Sequence, residues 1–172
     1  MKQRYLLFAL ALGVLAKLGY SHAEADQLVW VLKPTSWLVR LFFHEPFSFQ
    51  GADGYVFAQH GIAITRECAG VNFLIVLAAA TIGTLPPQLP QRWQRILAVP
   101  LLLLLSYGVT VLANTSRILS LHFSEPFQSL IHTDYSTMVH AGIGTVVYLG
   151  FLMAAYFVFT RFSHKLSDSS LT

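Results

Sequence analysis

Sulfur and charge are both scarce in this 172-residue chain. Its one cysteine, Cys68, rules out a disulfide within the chain, so no cross-link holds the fold. Only 11% of residues are charged, against 55% that are hydrophobic, and the mean hydropathy is +0.57. That balance excludes an ordinary soluble domain and reads as an integral membrane protein. No internal repeat or low-complexity linker is present, which excludes a solenoid and leaves one domain spanning residues 1–172. The net charge of +3 arises mainly from a basic fringe beside the apolar runs, and nucleic acid is not implied.

Four long apolar segments approach the roughly 20 residues that a helix needs to cross a hydrocarbon core. They cover residues 5–20, 69–85, 96–113 and 139–160. The runs are continuous, whereas strands of a membrane barrel alternate apolar and polar residues. The expected fold is therefore an all-α bundle of about four transmembrane helices, with a disordered tail at 163–172. Met1 to Arg4 followed by an apolar run also fits a signal peptide, with Ser21-His22-Ala23 as a cleavage site. The run is slightly long for that role and Lys17 interrupts it, so a retained anchor is preferred.

Charge sets the expected orientation. A cytoplasmic N-terminus places Lys2, Arg4, Arg92, Arg95, Arg161 and Lys165 inside, and Lys33, Arg40, Arg66 and Arg117 outside. The largest extramembrane piece, residues 21–68, then lies outside. There Pro34 suits the first turn of a helix, and Trp37, Leu38, Leu41, Phe42 and Phe43 recur at near-helical spacing. A helix lying flat in the membrane interface is expected, with Trp30 and Trp37 suited to that depth. Asp53-Gly54 and Gly61 are turn signals around the β-prone runs Tyr55–Phe57 and Ile62–Ile64, which predicts a small extracytoplasmic hairpin leading to Cys68.

The same topology brings Cys68, Arg117 and His140 to the outer ends of three helices. A cation, an imidazole or a helix N-terminus each raises the thiolate fraction of a cysteine, and Cys68 is expected to have all three. His140 suits the base that takes the thiol proton and the acid that returns it to a leaving amine. Arg117 stays charged and suits an oxyanion. Asn114, one turn earlier, is placed to donate to the same oxyanion or to orient a neighbour. Taken singly, an inert cysteine, a snorkelling arginine and a capping histidine explain each residue as well. Their joint placement favours a site.

The segments Glu67-Cys68-Ala69-Gly70, Asn114-Thr115-Ser116-Arg117-Ile118, and His140 followed by Gly144 resemble the three signature segments of the exosortase and archaeosortase family, in order, over roughly residues 66–159. The resemblance implies a membrane-embedded cysteine protease or transpeptidase at the outer face of the cytoplasmic (inner) membrane of a bacterium. Its nucleophile, arginine and histidine map to Cys68, Arg117 and His140, with Asn114, Gly70 and Gly144 in support. Partners implied are membrane lipids, an exopolysaccharide or lipid acceptor, and secreted proteins whose C-terminal tail joins a motif such as Pro-Glu-Pro to an apolar helix and a basic cluster. Many members carry serine where this chain has Ala69, and the chain is short for the family.

Other polar residues rank lower. His132-Thr133-Asp134 reads as a solvated turn, and Glu67 is expected to face away from Cys68 towards a basic group. His60, His122, His132 and His140 show no tight metal-binding spacing, so no metal or other cofactor is expected. Gly142, Gly144 and Gly150 suggest a small-residue helix face. Two further classes fit the composition: a non-catalytic membrane subunit of polysaccharide or protein export, and a redox or metal-binding membrane protein.

Overall fold

The computed structural model describes residues 2–128 and 136–168. The chain is mostly helical, and among the described residues three helical stretches are long and apolar enough to cross a membrane: Arg66–Gln88, Arg92–Ser124 and Ala141–Arg161. That is consistent with an all-α membrane protein. The apolar part of the N-terminal helix, Leu7–Ser21, is shorter. The described residues form, in order, the α-helices α1 (Lys2–Ser21), α2 (Val29–Phe43), α3 (Val71–Thr84), α4 (Arg92–Gln128) and α5 (Ser136–Asp168). Between α2 and α3 lie three short strands, β1 (Ser48–Phe49), β2 (Tyr55–Phe57) and β3 (Ile62–Ile64). The chain divides into two compact units, one of Met1–His22, Val71–Thr110 and Phe151–Thr172, the other of Ala23–Gly70 and Val111–Gly150.

In the first unit, α1 packs along α3. Gly13 admits Ile75 so closely that a Cβ there would lie 3.2 Å from Ile75 Cγ2, and Lys17 Nζ donates to Asn72 Oδ1 at 2.6 Å. Ala9, Ala78, Ile82, Leu85 and Leu102 form its buried core. Within the run Leu101–Leu105 only Leu102 is buried, so that run mostly faces outward, as suits contact with lipid. Thr81 and Thr110 turn their hydroxyls back onto Leu77 O and Ser106 O of their own helices, and the Thr81 hydroxyl also lies 3.5 Å from Ser106 Oγ of α4.

The second unit holds α2 and the sheet. Val31, Leu32, Thr35, Ser36 and Val39 form the buried face of α2. Its outer face shows Trp30, Lys33, Trp37, Arg40 and Leu41, with the Arg40 guanidinium 5.4 Å from the Trp37 ring. Aromatic and basic side chains thus share the exposed face of this helix. The helix starts at Val29, five residues ahead of the expected start at Pro34. Leu28 O accepts the Val31 and Leu32 N–H groups at 3.0 and 2.9 Å, so the first turn is closed before proline removes a donor. The helix ends at His44, whose φ of 54° is left-handed and whose N–H donates to Arg40 O at 2.8 Å.

β2 and β3 form the expected hairpin, in the register Tyr55↔Ile64, Val56↔Ala63 and Phe57↔Ile62. β1 adds a third antiparallel strand that two residues of sequence could not announce. Phe47 joins the sheet to α2, with ring centroids 5.3 Å from Tyr55, 5.4 Å from Phe57 and 6.3 Å from Trp37. Phe57 and Ile64 are fully buried, so the strand that leads to Cys68 is fixed by core packing.

Two expected boundaries need correction. α4 extends past residue 113 to Gln128, because Val111, Asn114, Thr115, Ile118 and Leu119 keep a buried stripe at helical spacing beyond the apolar run. Asn114 and Arg117 therefore lie within a helix, not at its end. The expected disorder from residue 163 does not hold as far as Asp168, where α5 ends; no proline or glycine interrupts Ser163–Asp168.

Candidate functional site

Cys68 ends a 3₁₀ turn, Arg66–Cys68, placed one residue after β3 by Thr65. Its N–H donates to Thr65 O at 2.9 Å, and the Ala69 N–H donates to Arg66 O at 3.1 Å. Gly70, with φ of 63°, then turns the chain so that α3 begins only at Val71. The thiol is therefore not at the helix N-terminus that the sequence suggested: a left-handed residue separates the turn from the helix. Cys68 is a free, half-buried thiol and Ala69 beside it is fully buried.

α4 supplies Asn114 and Arg117, three residues apart and so on one face. Arg117 Nη1 donates to Glu67 O, the carbonyl just before Cys68, at 3.4 Å. The guanidinium carbon stands 5.6 Å from the centre of the Tyr148 ring, a cation–π arrangement. The buried Nε has no partner among the described residues. α5 makes room for this side chain by carrying Gly144, where a Cβ would lie 2.7 Å from Nε. Glycine at 144 is thus a steric requirement of the arginine's position.

Asn114 is 1% exposed. Tyr148 Oη donates to Asn114 Oδ1 at 2.5 Å, so the amide oxygen is the end that meets the phenol. The amide nitrogen is buried and has no partner among the described residues. The amide lies against the Gly70 α-carbon so closely that a methyl group there would overlap it. Asn114, Arg117, Gly70 and Gly144 are therefore brought together beside the Cys68 turn. His140 lies on α5 four residues before Gly144 and eight before Tyr148, on one helical stripe; its side chain is outside the described residues. His132, Thr133 and Asp134 also lie outside them.

No family model, no curated protein and no solved structure matches this chain.

Two further findings bear on the site. The Glu67 carboxylate is exposed and accepts the Thr65 hydroxyl at 3.2 Å, while its backbone oxygen faces Arg117. Of the three glycines expected to form a small-residue face, only Gly144 meets a neighbour; Gly142 and Gly150 have nothing within 4 Å. They fall off the His140–Gly144–Tyr148 stripe, since two residues turn a helix by about 200°.

A second polar cluster escaped the sequence reading. Glu45, 3% exposed, accepts the Gln59 N–H at 2.6 Å through Oε1 and the His60 Nδ1–H at 2.6 Å through Oε2. The His60 ring stacks at 4.5 Å on Phe43 and lies 5.7 Å from His122. Burial raises the Glu45 pKa, but the hydrogen bonds from His60 and from the Gln59 backbone outweigh it and hold the carboxyl below its ordinary value. A lowered folded-state pKa contributes stability above the unfolded value, and that stability is lost as pH falls through the folded value. Glu45→Gln should therefore melt below the wild type near neutral pH, with the gap closing on acidification through and below the usual carboxylate range. Melting curves of both proteins across that range check this, and a gap that does not close would show that the carboxylate charge contributes nothing. Among the described residues, no group of three or more His, Cys, Asp or Glu side chains is arranged to hold a metal.

Proposed function

We propose that this chain is a membrane-embedded cysteine protease or transpeptidase of exosortase type, which cleaves C-terminal sorting signals of secreted proteins at the outer face of the cytoplasmic membrane. In this reading α1 joins the three longer stretches as a fourth membrane-crossing helix. The observation that carries the proposal is the Arg117 guanidinium on Glu67 O, which sets a permanent cation at the carbonyl just before a free, half-buried thiol in a chain with no other cysteine.

His140 takes the thiol proton, and the Cys68 thiolate attacks the scissile carbonyl carbon. A C–S bond forms while the carbonyl π pair moves onto oxygen, and Arg117 stabilises that oxyanion. Collapse restores the C=O bond and breaks the C–N bond, and the leaving amine takes the proton held by His140. The thioester left on Cys68 is resolved by water or by an amine or hydroxyl acceptor. A lowered dielectric around half-buried groups strengthens the cation's action on thiolate and oxyanion alike.

The test is a secreted reporter ending in Pro-Glu-Pro, an apolar helix and a basic cluster, co-expressed with the protein. The reporter should lose the tail mass, and Cys68 should carry a hydroxylamine-labile adduct of the reporter. A reporter that stays intact in the same membrane, beside a Cys68 that reacts freely with iodoacetamide, would overturn the proposal.

A further inference from the structure

We infer that Asn114 is a second oxyanion donor of this site, and that Tyr148 is the residue that positions it; the inference rests on the acyl-transfer reading. Asn114 Nδ2 and Arg117 Nε are both buried N–H donors without an acceptor among the described residues, and they stand on one face of α4. A buried donor left unpaired keeps the cost of its desolvation with nothing to offset it, so two such donors on one face indicate an acceptor that arrives during function. The hydrogen bond from Tyr148 occupies Asn114 Oδ1 and thereby fixes which end of the amide is a donor. An amide that rotated freely would present a carbonyl oxygen half the time and repel an oxyanion.

Two glycines define where that acceptor arrives. The amide rests on the α-carbon of Gly70, two residues after Cys68, and the guanidinium rests on Gly144. Both donors are buried, and the same guanidinium holds Glu67 O through Nη1, so a substrate carbonyl that displaces Glu67 O comes to the arginine beside them. That contact, 3.4 Å long, is a weak hydrogen bond to displace. Once paired, the donors act in a dry site where their orientation has already been set, the condition under which oxyanion stabilisation is largest. Tyr148 contributes twice, through its hydroxyl to Asn114 and through its ring face to Arg117.

The test compares two reactions of the only thiol in the chain. 4-Nitrophenyl acetate acylates Cys68 through a tetrahedral oxyanion: the C–S bond forms, the carbonyl pair moves to oxygen and returns, and 4-nitrophenolate leaves with the C–O pair. Iodoacetamide alkylates the same thiolate by direct displacement of iodide, with no oxyanion. Asn114→Ala and Asn114→Asp should slow acylation by about 10-fold or more and leave alkylation within about 3-fold. Tyr148→Phe should slow acylation by a smaller factor, and adding it to Asn114→Ala should cost nothing further, because the phenol acts through the amide. Equal slowing of both reactions, or no change in their ratio, would overturn the inference while a wild type that acylates keeps the acyl-transfer reading. A wild-type Cys68 that alkylates but does not acylate would overturn both.

Discussion

Cys68→Ser is expected to lower tail release by about 10³-fold or more, with the protein still inserted and its melting temperature nearly unchanged. Serine differs by one atom, and the turn that holds position 68 is made by backbone bonds, Cys68 N–H to Thr65 O and Ala69 N–H to Arg66 O, that the substitution leaves in place. The half-buried position tolerates the smaller oxygen. The chemistry is less forgiving. A thiol gives up its proton to a modest base and its anion is intrinsically a strong nucleophile, whereas an alcohol needs a strong, well-aligned base to react at all. Release of the tail from a reporter, followed by mass, gives the rate, and a melting curve gives the stability. A serine variant that retains a tenth or more of the wild-type rate would remove Cys68 from the role of nucleophile and favour a non-catalytic export subunit.

Much of the site could be read before the structure because each element that carries it has a strong local signal. The apolar runs place α3, α4 and α5, and Tyr55–Phe57 with Ile62–Ile64 appear as the strands that β-propensity and Gly61 predict. What escaped has equally local causes. Pro34 reads as a helix start, yet the helix was already closed by Leu28 O. The stripe that extends α4 beyond residue 113 mixes Asn114 and Thr115 with Ile118, so a hydropathy window ends where the helix does not. Glu45 and His60 lie 15 residues apart and meet only because β1 and β2 fold back on each other. Tyr148 had a signal that went unused: it follows Gly144 by four residues, as Gly144 follows His140, so the three share one stripe of α5. An aromatic with a hydroxyl on the stripe of a suspected base is a candidate partner for whatever that stripe faces.

Gly70→Ala should be strongly damaging, costing about 2–5 kcal/mol. Two effects add. A φ of 63° costs an alanine about 1–2 kcal/mol, because its Cβ approaches the following carbonyl. The new Cβ would also overlap the Asn114 amide, which is 1% exposed and tied to Tyr148, so the amide cannot swing out without breaking that bond. Losing the bond while leaving a buried acceptor unpaired costs about 1–3 kcal/mol. The two effects separate in a cycle with Asn114→Gly, which removes the obstacle and leaves the backbone strain. The cycle should return a coupling of about 1–2 kcal/mol in melting or denaturant titration, since the residues touch. Strict additivity would show that the amide does not rest on Gly70. The rate carries a second reading of the same contact. If Asn114 is held where the substrate oxyanion forms, Gly70→Ala should depress acylation of Cys68 beyond its effect on alkylation. Relieving the clash by Asn114→Gly should recover the clash part of the lost stability without restoring acylation, because the donor itself is then gone. That divergence between stability and rate follows only when one side chain both fills the space over Gly70 and supplies the hydrogen bond.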